Sequence, residues 1–150
     1  MLALLLTALF GTIPTLQDFS AVGAAALRDH KPIVLYVSRT DCTFCKRFEL
    51  EVLAPLVKSA RFADQVIYRE LVMNEPAKIR DLSGQWVRPD ALATQLGVHV
   101  SPTLLILDGN GRLLVKPKVG YDGSEFFSYY FERAIQQGIE RLRPRPVNGR

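Results

Sequence analysis

Cysteine is nearly absent from this chain, whose 150 residues contain only Cys42 and Cys45. That scarcity excludes a disulfide-stapled scaffold and confines all thiol chemistry to one place. Histidine is as rare, with His30 and His99 alone, so a histidine-rich metal centre is excluded. No apolar run reaches the roughly 20 residues of a membrane-spanning helix, no glycine-rich segment can cradle a nucleotide phosphate, and no repeats or strongly biased tracts occur. Solenoids, coiled coils and wholesale disorder are therefore poor readings, and no bound cofactor is expected. What is present is an ordinary folding composition, 48% hydrophobic and 23% charged. It is enough for one domain with a sizeable core and too short for two.

The formal net charge of +4 points at first sight to nucleic acid. Four arginines, Arg141, Arg143, Arg145 and Arg150, lie in the last ten residues among Pro144 and Pro146, however, and the rest of the chain is close to neutral. With no interleaving of aromatic and basic residues, no nucleic-acid surface is expected, and residues 143–150 read as a solvated basic tail. At the other end, Met1 to Phe10 is almost wholly apolar, and no Lys or Arg precedes Arg28. A run of this length suits the core of an export signal or a short membrane tether. The expected division is therefore 1–14 for that segment and 15–142 for the domain. Export would place the cysteines in a compartment where disulfides persist.

Between these ends the patterning is clear. Leu16, Phe19, Val22, Ala26 and Leu27 recur at helical spacing up to Asp29, and Lys31-Pro32 ends that helix. Ile33 to Val37 is an unbroken β-rich run, as expected for a strand buried on both faces. A helix starts at Thr43, and Pro55 should end or kink it before a shorter helix from Leu56 to Phe62. Val66 to Val72 predicts a second strand, and Asn74 to Val87 a surface loop in which Trp86 caps the core. Pro89 to Leu96 predicts a helix that stops at Gly97. Thr103 to Leu107 and Arg112 to Lys116 then form a hairpin around Asp108-Gly109-Asn110-Gly111. A closing helix from Gly123 to Leu142 should turn Phe126, Phe127, Tyr130, Phe131, Ala134 and Ile135 inward.

The segment Asp41-Cys42-Thr43-Phe44-Cys45-Lys46 thus opens a helix straight after a buried strand. Two cysteines at this spacing can close into a small disulfide ring, and a helix start favours the thiolate released when the ring opens. This strand and motif, followed by Val100-Ser101-Pro102-Thr103 leading into a hairpin, resemble the thioredoxin superfamily over roughly Leu16 to Leu142. The pattern is most similar to exported bacterial thioredoxin-like proteins, which would place the chain in the periplasm. The resemblance implies an α/β fold, a central mixed sheet flanked by helices, with Pro102 in a cis peptide beside the cysteine helix. It also implies that Cys42 is the nucleophile, that Cys45 is the resolving cysteine, and that Phe44, Ser101, Pro102 and Thr103 line the substrate surface. Thioredoxins proper carry a buried Asp in the strand before the motif, whereas Tyr36 stands there. Asp41 is expected to replace that proton acceptor in part and to raise the Cys42 pKa, against the helix start and Lys46 or Arg47.

The reaction expected is dithiol–disulfide exchange with a partner protein, more in the reducing than the oxidising direction, by a monomer supplied with electrons by another protein or a small thiol. A purely structural staple is disfavoured, because a loop closed over two residues constrains the unfolded chain weakly. The rival from another class is a metal-binding or delivery protein. Two thiolates are half of a zinc site, with His99 the better candidate to extend it, and they suffice for Cu(I). A redox-inactive adaptor is argued against by the intact cysteine pair.

Overall fold

The computed structural model describes residues 13–145. Six strands and five α-helices follow one another along this stretch: α1 (Phe19–Asp29), β1 (Ile33–Ser38), α2 (Thr43–Phe48), α3 (Ala54–Lys58), β2 (Ile67–Val72), β3 (Ile79–Arg80), β4 (Trp86–Val87), α4 (Pro89–Gln95), β5 (Thr103–Leu107), β6 (Lys118–Val119) and α5 (Phe127–Leu142). The main sheet has the order β2-β1-β5-β6, with β1 and β2 parallel and the other pairs antiparallel, and β3 and β4 form a small hairpin of their own. This is a mixed sheet with helices on both faces.

The two-residue period of a strand assigns the core. Val34 and Tyr36 face one way, packing with Cys45, Phe48 and Val52 and with Phe131, Ala134 and Ile135 of α5. Ile33, Leu35 and Val37 face the other way, towards Phe19, Val22 and Ala26 of α1 and Leu92 and Ala93 of α4. Both faces of β1 are covered, which is why its sequence does not alternate. Asp18 caps α1 by accepting from the Ala21 N–H, and the left-handed Gly97 ends α4 as expected.

Several elements differ from the sequence expectation. Leu16 precedes α1, in an extended segment whose backbone pairs with Glu70 of β2. Ile13 is already in the core and the Pro14 carbonyl accepts from the Glu70 N–H, so packed structure reaches back into the segment assigned to 1–14. The rest of that segment and residues 146–150 of the tail lie outside the described residues. Pro55 does not stop its helix: a π-helical turn, Glu49–Leu53, joins α2 to α3, and the helical path ends at Lys58. Proline lacks an N–H and crowds the carbonyl four residues back, and a widened turn relieves both.

The turn at Asp108 forms, with the Asp108 N–H donating to the Arg112 carbonyl. Its return strand does not extend over Arg112 to Lys116: Leu113 makes one isolated bridge to Leu107, and pairing resumes only beyond Pro117, at Lys118–Val119. The closing helix starts at Phe127 and not at Gly123, which holds a left-handed conformation. Its inward face is Phe127, Phe131, Ala134 and Ile135, while Phe126 and Tyr130 are exposed. Trp86 does not cap the core. It is 59% exposed, at the base of the β3–β4 hairpin, under the Arg80 guanidinium.

Candidate active site

The β1 strand runs out at Ser38, and four residues later Cys42 is the N-cap of α2. Its extended backbone turns the side chain across the helix start, where Sγ accepts from the Cys45 N–H at 3.1 Å. The two cysteines form a disulfide with their Cα atoms 5.2 Å apart. Cys42 is half-buried and Cys45 is 1% exposed, within the core beneath the helix. The accessible sulfur is therefore the one that receives a backbone N–H, the arrangement that favours a thiolate once the ring opens.

Phe44 projects between the cysteines, 54% exposed, and Asp41 and Lys46 are exposed beside them. Ser101 is half-buried, whereas Pro102 and Thr103 are buried. The Ser101–Pro102 peptide is cis. Thr103 pairs with Val37, which sets Pro102 at the same end of the sheet as the cysteine loop. The Pro102 carbonyl accepts from the Gly120 N–H and the Thr103 hydroxyl donates to the Val100 carbonyl, so both sides of that loop are tied.

The charges expected to tune the cysteines are largely committed elsewhere. Asp41 takes two hydrogen bonds from Arg39, at 2.9 and 3.3 Å, and that donation holds its carboxyl below the ordinary range. A carboxylate so engaged is a poor proton acceptor. Arg47 pairs with Glu51 four residues on. His99 and His30 are both exposed, and among the described residues no group of three His, Cys, Asp or Glu side chains could hold a metal ion.

A carboxylate of the helix does reach the Tyr36 hydroxyl. The fully buried Tyr36 hydroxyl donates to Glu49 Oε1 at 2.9 Å and lies 3.4 Å from the Cys45 carbonyl. Burial, with the Glu49 carboxylate next to it, pushes the Tyr36 phenol well above its usual range. On the adjacent strand Glu70 stands in register with Tyr36 and accepts from the Ser38 hydroxyl at 2.6 Å. Burial raises the Glu70 pKa, with a further push from Glu49 and opposition from the Ser38 bond. Glu49 was legible in one respect, since it follows Cys45 by four residues and so shares its helix face. Glu70 lay in a segment read only as strand.

The family model for the thioredoxin-like domain matches residues 20–135. The chain belongs to this family. No curated protein sequence matches it. Among solved structures, this thioredoxin-like chain is similar to the short form of thioredoxin f from spinach chloroplast, at 22% identity over 87% of this chain and 96% of that one, with a TM-score of 0.58. A DsbH oxidoreductase superposes with a TM-score of 0.61, at 16% identity over 86% of this chain and 89% of the other. The oxidised C-terminal domain of DsbD from Neisseria meningitidis gives 0.52, at 21% identity over 80% and 98% of the two chains. At these identities the superpositions show a shared fold, and the chemistry has to be argued from this chain's own residues.

Proposed function

We propose that this thioredoxin-like protein is a thiol–disulfide oxidoreductase that reduces disulfides in partner proteins. The observation that carries the reading is the Cys42–Cys45 disulfide at the start of α2, with Cys42 accessible and Cys45 in the core. In the reduced protein, Cys42 thiolate attacks one sulfur of a partner disulfide, forming a mixed disulfide and releasing a partner thiolate that takes up a proton. Cys45 then gives its proton to Glu49, which Tyr36 holds one helical turn away, and attacks Cys42 Sγ. The second partner thiolate leaves and is protonated. Two electrons and two protons pass to the partner, and the Cys42–Cys45 disulfide remains until a dithiol protein or small thiol reduces it.

The partner strand lies against Phe44 and the half-buried Ser101, whose position at the cysteine end of the sheet supports this role, while the buried Thr103 anchors that loop from within. We further place the protein outside the cytosol, in a bacterial periplasm, an assignment resting on the apolar run from Met1 to Phe10. Titration of the metal-free protein in glutathione buffers, reading the cysteines by alkylation and intact mass, tests the exchange couple. A reversible two-electron transition at low potential is expected. A high potential would reverse the direction to oxidation, and no intramolecular disulfide at any poise would refute exchange. The Cys45→Ser variant should accumulate mixed disulfides through Cys42.

A further inference from the structure

The loop that delivers Cys42 is held from outside by a residue that no step above uses. The Thr40 N–H donates to Asn74 Oδ1 at 2.9 Å, and Asn74 Nδ2 donates to the Thr40 hydroxyl at 2.7 Å. The Met73 N–H adds a bond to the Ser38 carbonyl at 2.8 Å, so the end of β2 is stitched to the loop at two successive points. A backbone N–H can only donate, which fixes the amide with Oδ1 towards it and leaves Nδ2 for the hydroxyl. Both ends of the amide are thereby used. Thr40 is flanked by Arg39 and Asp41, which form their own ion pair, and Asp41 immediately precedes the cysteine.

We propose that Asn74 is a positioning residue for Cys42: by latching Thr40 it keeps the Asp41 carboxylate on Arg39 and away from the sulfur. The inference rests on the exchange reading for its functional meaning. Without the latch the three-residue loop can rearrange, and a carboxylate next to Cys42 opposes formation of its thiolate. Attack by Cys42 then slows and its pH midpoint moves up. Thr40 and Asn74 are both exposed, so substituting them leaves the core untouched.

The test is release of thionitrobenzoate when the reduced full-length protein reacts with 5,5′-dithiobis(2-nitrobenzoate). The first equivalent reports Cys42 attack, and the second reports Cys45 resolving the mixed disulfide. With two hydrogen bonds lost, Asn74→Ala should slow the first phase about three- to tenfold at pH 7 and raise its pH midpoint. Thr40→Val, which keeps the N–H bond alone, should fall between Asn74→Ala and the parent, and Thr40→Ser should match the parent. Adding Asp41→Asn to Asn74→Ala should restore the rate, a rescue that mere loosening of the fold would not give. An unchanged first phase in Asn74→Ala, or no rescue by Asp41→Asn, overturns the proposal. Absence of a second equivalent from the parent protein would refute the exchange reading, while the first phase would still test the latch.

Discussion

Replacing Glu49 by glutamine isolates the proton step from the geometry that supports it. Glutamine retains an acceptor for the Tyr36 hydroxyl, so the 2.9 Å bond can persist while the capacity to take a proton is lost. An ordinary thiol of pKa about 8.5 is only about 3% ionised at pH 7. A cysteine left to that acidity resolves a mixed disulfide up to about thirtyfold more slowly than one whose proton a neighbouring base removes as it attacks. Towards pH 9 solution hydroxide supplies the thiolate, and the gap should close. Glu49→Gln is therefore expected to slow the second thionitrobenzoate phase by up to about thirtyfold at pH 7 and little at pH 9, with the first phase near that of the parent. Tyr36→Phe, which leaves the carboxylate but frees it, should produce a smaller loss with the same pH trend. A second phase in Glu49→Gln within twofold of the parent from pH 6 to 9 would refute the assignment.

Three further outcomes follow from packing and charge. Phe48 is fully buried among Tyr36, Tyr121, Phe127 and Phe131, with ring centroids 5.2 to 5.9 Å away, so Phe48→Ala should cost about 3–5 kcal/mol in denaturant unfolding. Gly109→Ala would set a Cβ 2.5 Å from the Gly23 carbonyl oxygen and from Leu27 Cγ, and a loss of about 1–3 kcal/mol is expected in the same assay. Glu70 has a raised pKa in the folded protein, so its contribution is fully present below the unfolded value and is lost as pH rises through the folded one. Glu70→Gln, which can still accept from Ser38, should therefore gain in thermal midpoint relative to the parent between pH 4 and 7. A difference that stays constant across that range would show that Glu70 does not titrate with folding.

The elements whose local signals agree with their packing could be read directly from the sequence. The apolar run of β1, the stop at Gly97 and the turn at Asp108 each carry a residue type that one conformation favours. The misses share another cause. Gly123 adopts a positive φ outside the closing helix, Phe126 precedes its first turn, and Tyr130 lies on its exposed side. Pro117 interrupts the return strand after Asp108, which keeps one bridge at Leu113 and a short pairing at Lys118–Val119. The cysteines and the Pro102 loop were visible because their spacing is specific. What Asn74 and Glu70 touch depends on which strand ends lie together, information carried by register and not by local sequence.

The helix around Pro55 shows how a residue that should disrupt the site leaves it intact. Cys45 and Glu49 are joined by an α-type bond, the Glu49 N–H donating to the Cys45 carbonyl, and that same carbonyl lies within reach of Tyr36. The widening demanded by Pro55 begins only at Glu49, where the Ala54 N–H reaches back five residues to the Glu49 carbonyl. Had the irregularity come one turn earlier, the four-residue spacing that puts Cys45 and Glu49 on one helix face would be lost. Placed where it is, the π turn absorbs the proline downstream while Val52, Leu53 and Leu56 still reach the core. In a fold whose relatives proper draw their acid from the sheet, this chain supplies a hydroxyl from the sheet and the acid from the helix. In the proposed mechanism base and thiol then belong to one helical path, and their four-residue spacing does not depend on how the helix seats against the strands.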